Sequence, residues 1–135
     1  MQTTLAFRPY VKAILQLSDN KHIALTALID IEVVSSIIHG SCLPRGYHVP
    51  TQVSFATASG DKFYSHKYTK PIELLPFGKR HSFFAYDSSG EDLLLGTNFL
   101  SLIAPFTFYP EEFSYTITSP VDKKSHFLII PWVEQ

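Results

Sequence analysis

The sequence predicts an all-β domain, and three observations carry the prediction. Nine Pro and six Gly punctuate the chain at short intervals. Between them lie short runs of β-branched and aromatic residues, not long stretches with a 3.6-residue period. Several runs alternate apolar and polar side chains, as a strand with one buried face does. With 135 residues, 45% of them hydrophobic and 17% charged, the chain has the material for one core, so a single domain over 1–135 is expected.

Taken in order, "YVKAILQLS" (10–18) reads as a strand ending at the turn signal Asp19-Asn20-Lys21. "HIALTALIDI" (22–31) returns as its partner. "TQVSFATA" (51–58) and "KFYSHKYTK" (62–70) alternate on both sides of Ser59-Gly60-Asp61 and predict a β-hairpin. "IELLPF" and "RHSFFAYD" follow around Phe77-Gly78-Lys79. "DLLLGTNFLSLIAPF" (92–106) opens as an apolar strand. After Gly96 its apolar residues fall at 99, 100, 102 and 103, a spacing that one short helix satisfies before Pro105 stops it. "FTFYP" and "FSYTITS" read as a last hairpin. The tail from 118 to 135 carries the apolar block "FLIIPWV", which needs burial against its own domain or against a partner.

Composition excludes several function classes. The net charge is -1, and Lys and Arg are scattered, so no nucleic-acid surface is implied. No apolar run reaches the length of a membrane span, and the first residues lack the regions of a signal peptide. A soluble, intracellular setting is expected, and the single Cys42 fits it. The six His show no zinc-ligand spacing among themselves or with Cys42, so no metal is expected. No glycine-rich phosphate loop or dinucleotide fingerprint is present, so no cofactor is expected either.

The feature that resists a structural explanation is a pair of acids. Asp30 and Glu32 sit in "TALIDIEVVSSII" (26–38), the most apolar part of the chain. Carboxylates are rarely buried unless paired or hydrogen-bonded. Asp30 therefore either caps a tight turn or does chemistry. A faint echo links "ALIDIE" to "DLLLGTN", since both are apolar strands that end abruptly in a loop.

The order of these pieces resembles the retropepsin-like aspartic proteases, most closely those of plant pararetroviruses of the caulimovirus type. "RPYVKAILQLSDNKHIALTALID" resembles the first hairpin and the strand leading to the catalytic Asp. "VSFATASGDKF" resembles the flap hairpin over the substrate. "SSGEDLLLGTNFLSLIAPFTFY" resembles the second hallmark, with Gly96, Asn98, Phe99, Pro105 and Phe106 at the matching places. The resemblance covers roughly residues 8 to 117; the tail 118–135 has no counterpart and stands as a C-terminal extension of unknown role.

The resemblance implies a closed β-barrel with a flap hairpin and one short C-terminal helix. It assigns the catalytic role to Asp30, the active-site loop to Ile31 and Glu32, the flap contacts to Ala58, Ser59, Gly60 and Asp61, and supporting roles to Leu95, Gly96 and Asn98. It implies a homodimer acting on a peptide or polyprotein substrate, in the cytoplasm of a host cell as part of a viral polyprotein. One Asp per protomer would form a dyad sharing a proton, one carboxylate acting as general base on water and the other as general acid. The departure is the triplet: the family has Asp, Thr or Ser, then Gly, whereas this chain reads Asp30-Ile31-Glu32. Ile31 has no hydroxyl to bond across the dimer. Glu32 adds a carboxylate where Gly allows a tight turn. Three readings stay open: an inactive or impaired protease fold kept for dimerisation or partner binding, an active protease that tolerates the changes, or changes introduced into an active enzyme, against which the retained Asp30 argues. A binding module without catalytic ancestry, contacting its partner through the apolar tail, is the alternative of another class.

Overall fold

The computed structural model describes residues 9–17, 20–56, 62–87 and 90–134. Strands β1 (Tyr10–Gln16) and β2 (His22–Ile29) form an antiparallel hairpin running from Tyr10↔Leu28 to Gln16↔His22. Alternation sets its faces: Val11, Ala13 and Leu15 are buried, whereas Lys12 and Ile14 point out. Asn20, at the turn, takes a positive φ of 64°, a conformation Asn tolerates. A seven-residue connection leads to β3 (Ile37–Ile38). Two single 3-10 turns follow, and then the long hairpin of β4 (His48–Ala56) and β5 (Lys62–Thr69). Its register shifts between Pro50 and Val53, where Pro lacks the N–H that a regular ladder uses.

Strands β6 (Ile72–Leu75) and β7 (Lys79–His81) pair around Gly78, whose φ of +71° suits glycine. Next comes β8 (Phe84–Ala85). The run "RHSFFAYD" is divided between these two strands. Residues 79–81 pair with β6, while residues 84–85 pair with β3 and β5. The chain changes partners at Ser82-Phe83, and no local pattern announces that change. Strand β9 (Leu93–Leu95) runs into helix α1 (Thr97–Leu100), which buries Phe99 and Leu100. Three further strands, β10 (Phe106–Phe108), β11 (Glu112–Thr118) and β12 (Ser125–Pro131), complete the chain.

The first nine strands form one sheet, in the order β4-β5-β8-β3-β9-β2-β1-β6-β7, curled into a half-barrel. The last three form a second, antiparallel sheet. The all-β expectation holds, as does the single short helix among the described residues. No helix among them is long and apolar enough to cross a membrane.

The C-terminal segment is integrated into the core. β12 pairs with β11 along its length, Ile130 is buried, and Trp132 packs on Phe108 and Phe113 at 5.5 and 5.9 Å between ring centres. The Trp132 indole N–H donates to Tyr109 O at 2.7 Å, and Val133 N–H to Tyr10 O at 2.9 Å, which ties the end of the chain to β1. Strand alternation splits the apolar block: Phe127 and Ile129 remain 61% and 52% exposed. Ring contacts Phe113–Tyr115, Tyr115–Phe77 and Phe77–Phe99 then connect this sheet to α1.

One topological feature positions the site. β9 lies between β2, to which it is parallel, and β3, to which it is antiparallel. Because β2 and β3 are consecutive in the chain, their connection, residues 30–36, passes over the C-terminal end of β9. The faint echo between "ALIDIE" and "DLLLGTN" is thus two strands side by side in register, with Ala27↔Leu93 and Ile29↔Leu95.

Candidate active site

Asp30 is the first residue beyond β2, where the apolar run can no longer bury its side chains. Its N–H extends the parallel ladder by one bond, donating to Leu95 O at 3.0 Å. The chain then turns, and Glu32 N–H donates to Asp30 Oδ1 at 2.9 Å. This is an Asx-type turn, in which the carboxylate organises the backbone after it. One carboxylate oxygen is held, and the half-buried side chain stands at the open end of the sheet. Ile31 and Glu32 are both exposed. Glu32 does not need the left-handed backbone that glycine favours, since Asn20 and Lys123 alone among the described non-glycine residues have positive φ. The turn accepts Glu without backbone strain, and what Glu32 changes is the charge beside Asp30.

The loop is stapled onto the end of β9. Thr97 N–H donates to Val33 O at 2.8 Å and Asn98 N–H to Val34 O at 2.9 Å, so the free N–H groups at the start of α1 are used on the loop. Gly96 makes this approach possible: a Cβ there would lie 2.4 Å from Ser35 O and 2.8 Å from Val34 O, both backbone atoms. Ser36 is fully buried and closes the loop from the other side. Its Oγ accepts Gly96 N–H at 3.0 Å, and its hydroxyl donates to Asn98 Oδ1 at 2.6 Å. Leu95 is buried beneath.

Asp30, Leu95, Gly96 and Asn98 are therefore brought together, with Ile31 and Glu32 on the outer rim. Ala58, Ser59, Gly60 and Asp61 lie outside the described residues; the strands that flank them, β4 and β5, pair as a hairpin. Around the turn the surface is apolar, with Ile31 57% and Val34 70% exposed, and Leu102 beyond α1 exposed as well.

No family model matches the chain, and no curated protein is matched by it. Among solved structures, the retroviral protease-like domain of Ddi1 from Leishmania major is similar, with a TM-score of 0.54 at 11% identity, over 98% of this chain and 96% of that one. The fold is retropepsin-like.

Within the retropepsin-like fold, two participants escape a reading of the sequence. Ser36 sits in "VVSSII" with nothing local to set it apart from Ser35; its partners lie 60 and 62 residues away. His81, on β7, stands edge-on to Phe99 of α1 at 5.7 Å between ring centres, and burial lowers its proton affinity below the ordinary 6.5. Cys42 has no catalytic setting. Burial, then the Asp92 carboxylate, pushes its thiol up, away from the reactive thiolate. His39 caps the turn after it, its Nδ1 accepting Ser41 N–H at 3.2 Å.

Proposed function

We propose that this chain is half of an aspartic endopeptidase, completed by a second copy, that cleaves a viral polyprotein of the plant pararetrovirus type in the host-cell cytoplasm. The observation that carries the reading is Asp30, held at Oδ1 by Glu32 N–H in a loop stapled across Gly96. A single carboxylate cannot serve as general base toward water and general acid toward the scissile carbonyl in the same step. A two-fold copy of Asp30 supplies the second group, and close approach keeps one proton between the two. The exposed Ile31 and Val34 support pairing at this face.

The Ile31-Glu32 pair favours a slow enzyme. Ile31 offers no hydroxyl for a bond across the two-fold axis, and the pair of Glu32 side chains adds two carboxylates beside the dyad. A protease fold retained for dimerisation or partner binding, without turnover, is the second reading, and the same two residues favour it. A cleavage assay on the parent polyprotein's junction peptides from pH 4 to 7, with Asp30→Asn as control, separates the two. Cleavage that disappears in the Asp30→Asn protein supports the peptidase. Absence of cleavage throughout, with dimers present by sedimentation, supports the second reading.

A further inference from the structure

β12 is the outer strand of its sheet, and its ladder shows which backbone groups are left over. Its register on β11 places His126 opposite Ile117, Leu128 opposite Tyr115 and Ile130 opposite Phe113. Just beyond the two ends, Ser119 N–H donates to Lys124 O at 2.9 Å and Trp132 N–H to Glu111 O at 3.2 Å. Bonded and non-bonded pairs alternate along an antiparallel ladder. In phase with 124 and 132, the bonded residues of β12 are therefore 126, 128 and 130. The N–H and C=O groups of Ser125, Phe127 and Ile129 point away from β11. Among the described residues no strand receives them. Pro131, next in that series, has a carbonyl but no N–H, so it closes the row of donors.

The same residues carry the side chains that the core leaves out, since Phe127 and Ile129 are exposed. Long apolar edges are ones that proteins keep covered or blunted with charges, bulges or proline. Here the register on β11 is unbroken, no Lys or Arg lies within Ser125–Pro131, and the one Pro comes last. Charge selects what covers the edge. Lys123 and Lys124 precede the strand, and the nearby Asp122 is turned onto the Lys124 N–H at 3.0 Å. Glu134 follows the strand. Glu112, opposite Pro131, and Glu111, bonded to Trp132, lie beside the same far end. The edge is basic at one end and acidic at the other. A second β12 laid antiparallel brings each basic end to an acidic one, whereas a parallel one would set like against like.

We propose that β12 is a self-docking edge: a second copy of the chain adds its own β12 antiparallel about a two-fold axis, joining the two C-terminal sheets into one. The register with Phe127 opposite Ile129 of the second copy uses every outward donor, because Ser125 N–H then meets the Pro131 carbonyl. It also sets an aromatic side chain against a β-branched one on each side of the axis, a favourable cross-strand pair. The far end of the edge is tied to the candidate site. Val133 N–H bonds Tyr10 O, and Tyr10 pairs with Leu28, just before Asp30. The inference rests on the two-copy reading above only for the presence of a second chain, and it stands whether or not the chain cleaves peptides.

Sedimentation equilibrium and amide hydrogen exchange on the whole chain test it. The unaltered protein should form dimers. The amides of Phe127 and Ile129 should exchange slowly in concentrated samples and fast on dilution below the dissociation constant. Those of His126, Leu128 and Ile130, bonded within the chain, are the internal reference. Phe127→Lys combined with Ile129→Lys, at two exposed positions, should raise the dimer dissociation constant by about tenfold or more with the circular dichroism unchanged. Asp30→Asn should dimerise as the parent does, so that failure of the edge is read in mass and failure of the dyad in cleavage. A double variant that dimerises like the parent, or exchange at Phe127 and Ile129 that ignores concentration, would overturn the proposal. So would a parent that sediments as a monomer, the result expected if the edge receives a different chain.

Discussion

Two strands lie side by side, in parallel, and end at the same level in opposite ways. β2 ends in Asp30-Ile31-Glu32, a turn that projects a carboxylate and two exposed side chains. β9 ends in Gly96, whose missing side chain lets the loop from β2 lie across it. One end projects an exposed acidic turn and the other receives a neighbour. The difference teaches that the residues resembling a catalytic signature fall into two energetic classes. Substitution at the β9 end should cost stability, whereas substitution at the β2 end should cost function with the fold intact.

The comparison can be broken by mutation, beginning with the largest change in stability. Phe99→Ala empties a fully buried position in α1 and should cost about 3–5 kcal/mol, seen as a large drop in the denaturant midpoint. Gly96→Ala forces a Cβ against two backbone carbonyls, which cannot rotate away as a side chain would. Its cost should lie near the top of the range of about 1–3 kcal/mol for overpacking. Ser36→Ala leaves the Gly96 N–H and Asn98 Oδ1 without their partner, a loss of about 1–2 kcal/mol by the same measurement. At the β2 end the expectation reverses. Asp30→Asn keeps an oxygen for Glu32 N–H and should move stability by no more than about 0.5 kcal/mol while abolishing cleavage. Smallest of all in stability is the double change Ile31→Thr with Glu32→Gly at two exposed positions, which should nevertheless raise turnover. Equal turnover by parent and double variant would show that the triplet is harmless as it stands.

Which parts were legible follows from the range of the interactions. Hairpins announce themselves by alternation, so β1–β2, β4–β5 and β10–β11 could be read directly. Asp30 was visible because an acid at the end of an apolar run is locally incongruous, and Gly96 because it breaks "LLL" just before a helical spacing. Ser36 was invisible because its meaning comes from Gly96 and Asn98, 60 and 62 residues away, which the fold alone brings near. The tail misled in a subtler way. "FLIIPWV" suggests one apolar block, but on a strand alternate residues face opposite ways: Leu128, Ile130 and Trp132 turn toward the core, whereas Phe127 and Ile129 stay exposed.

The central claim is that Asp30 works only opposite its own copy, and mixed dimers test it most directly. Parent protein and the Asp30→Asn variant would be mixed in equal amounts, allowed to exchange subunits at a concentration where dimers predominate, and assayed on a junction peptide. If both carboxylates are needed, only dimers of two parent chains cleave, and activity should fall to about one quarter of that of the same total amount of parent protein. Activity at about one half, the value for chains that act independently, would contradict the account.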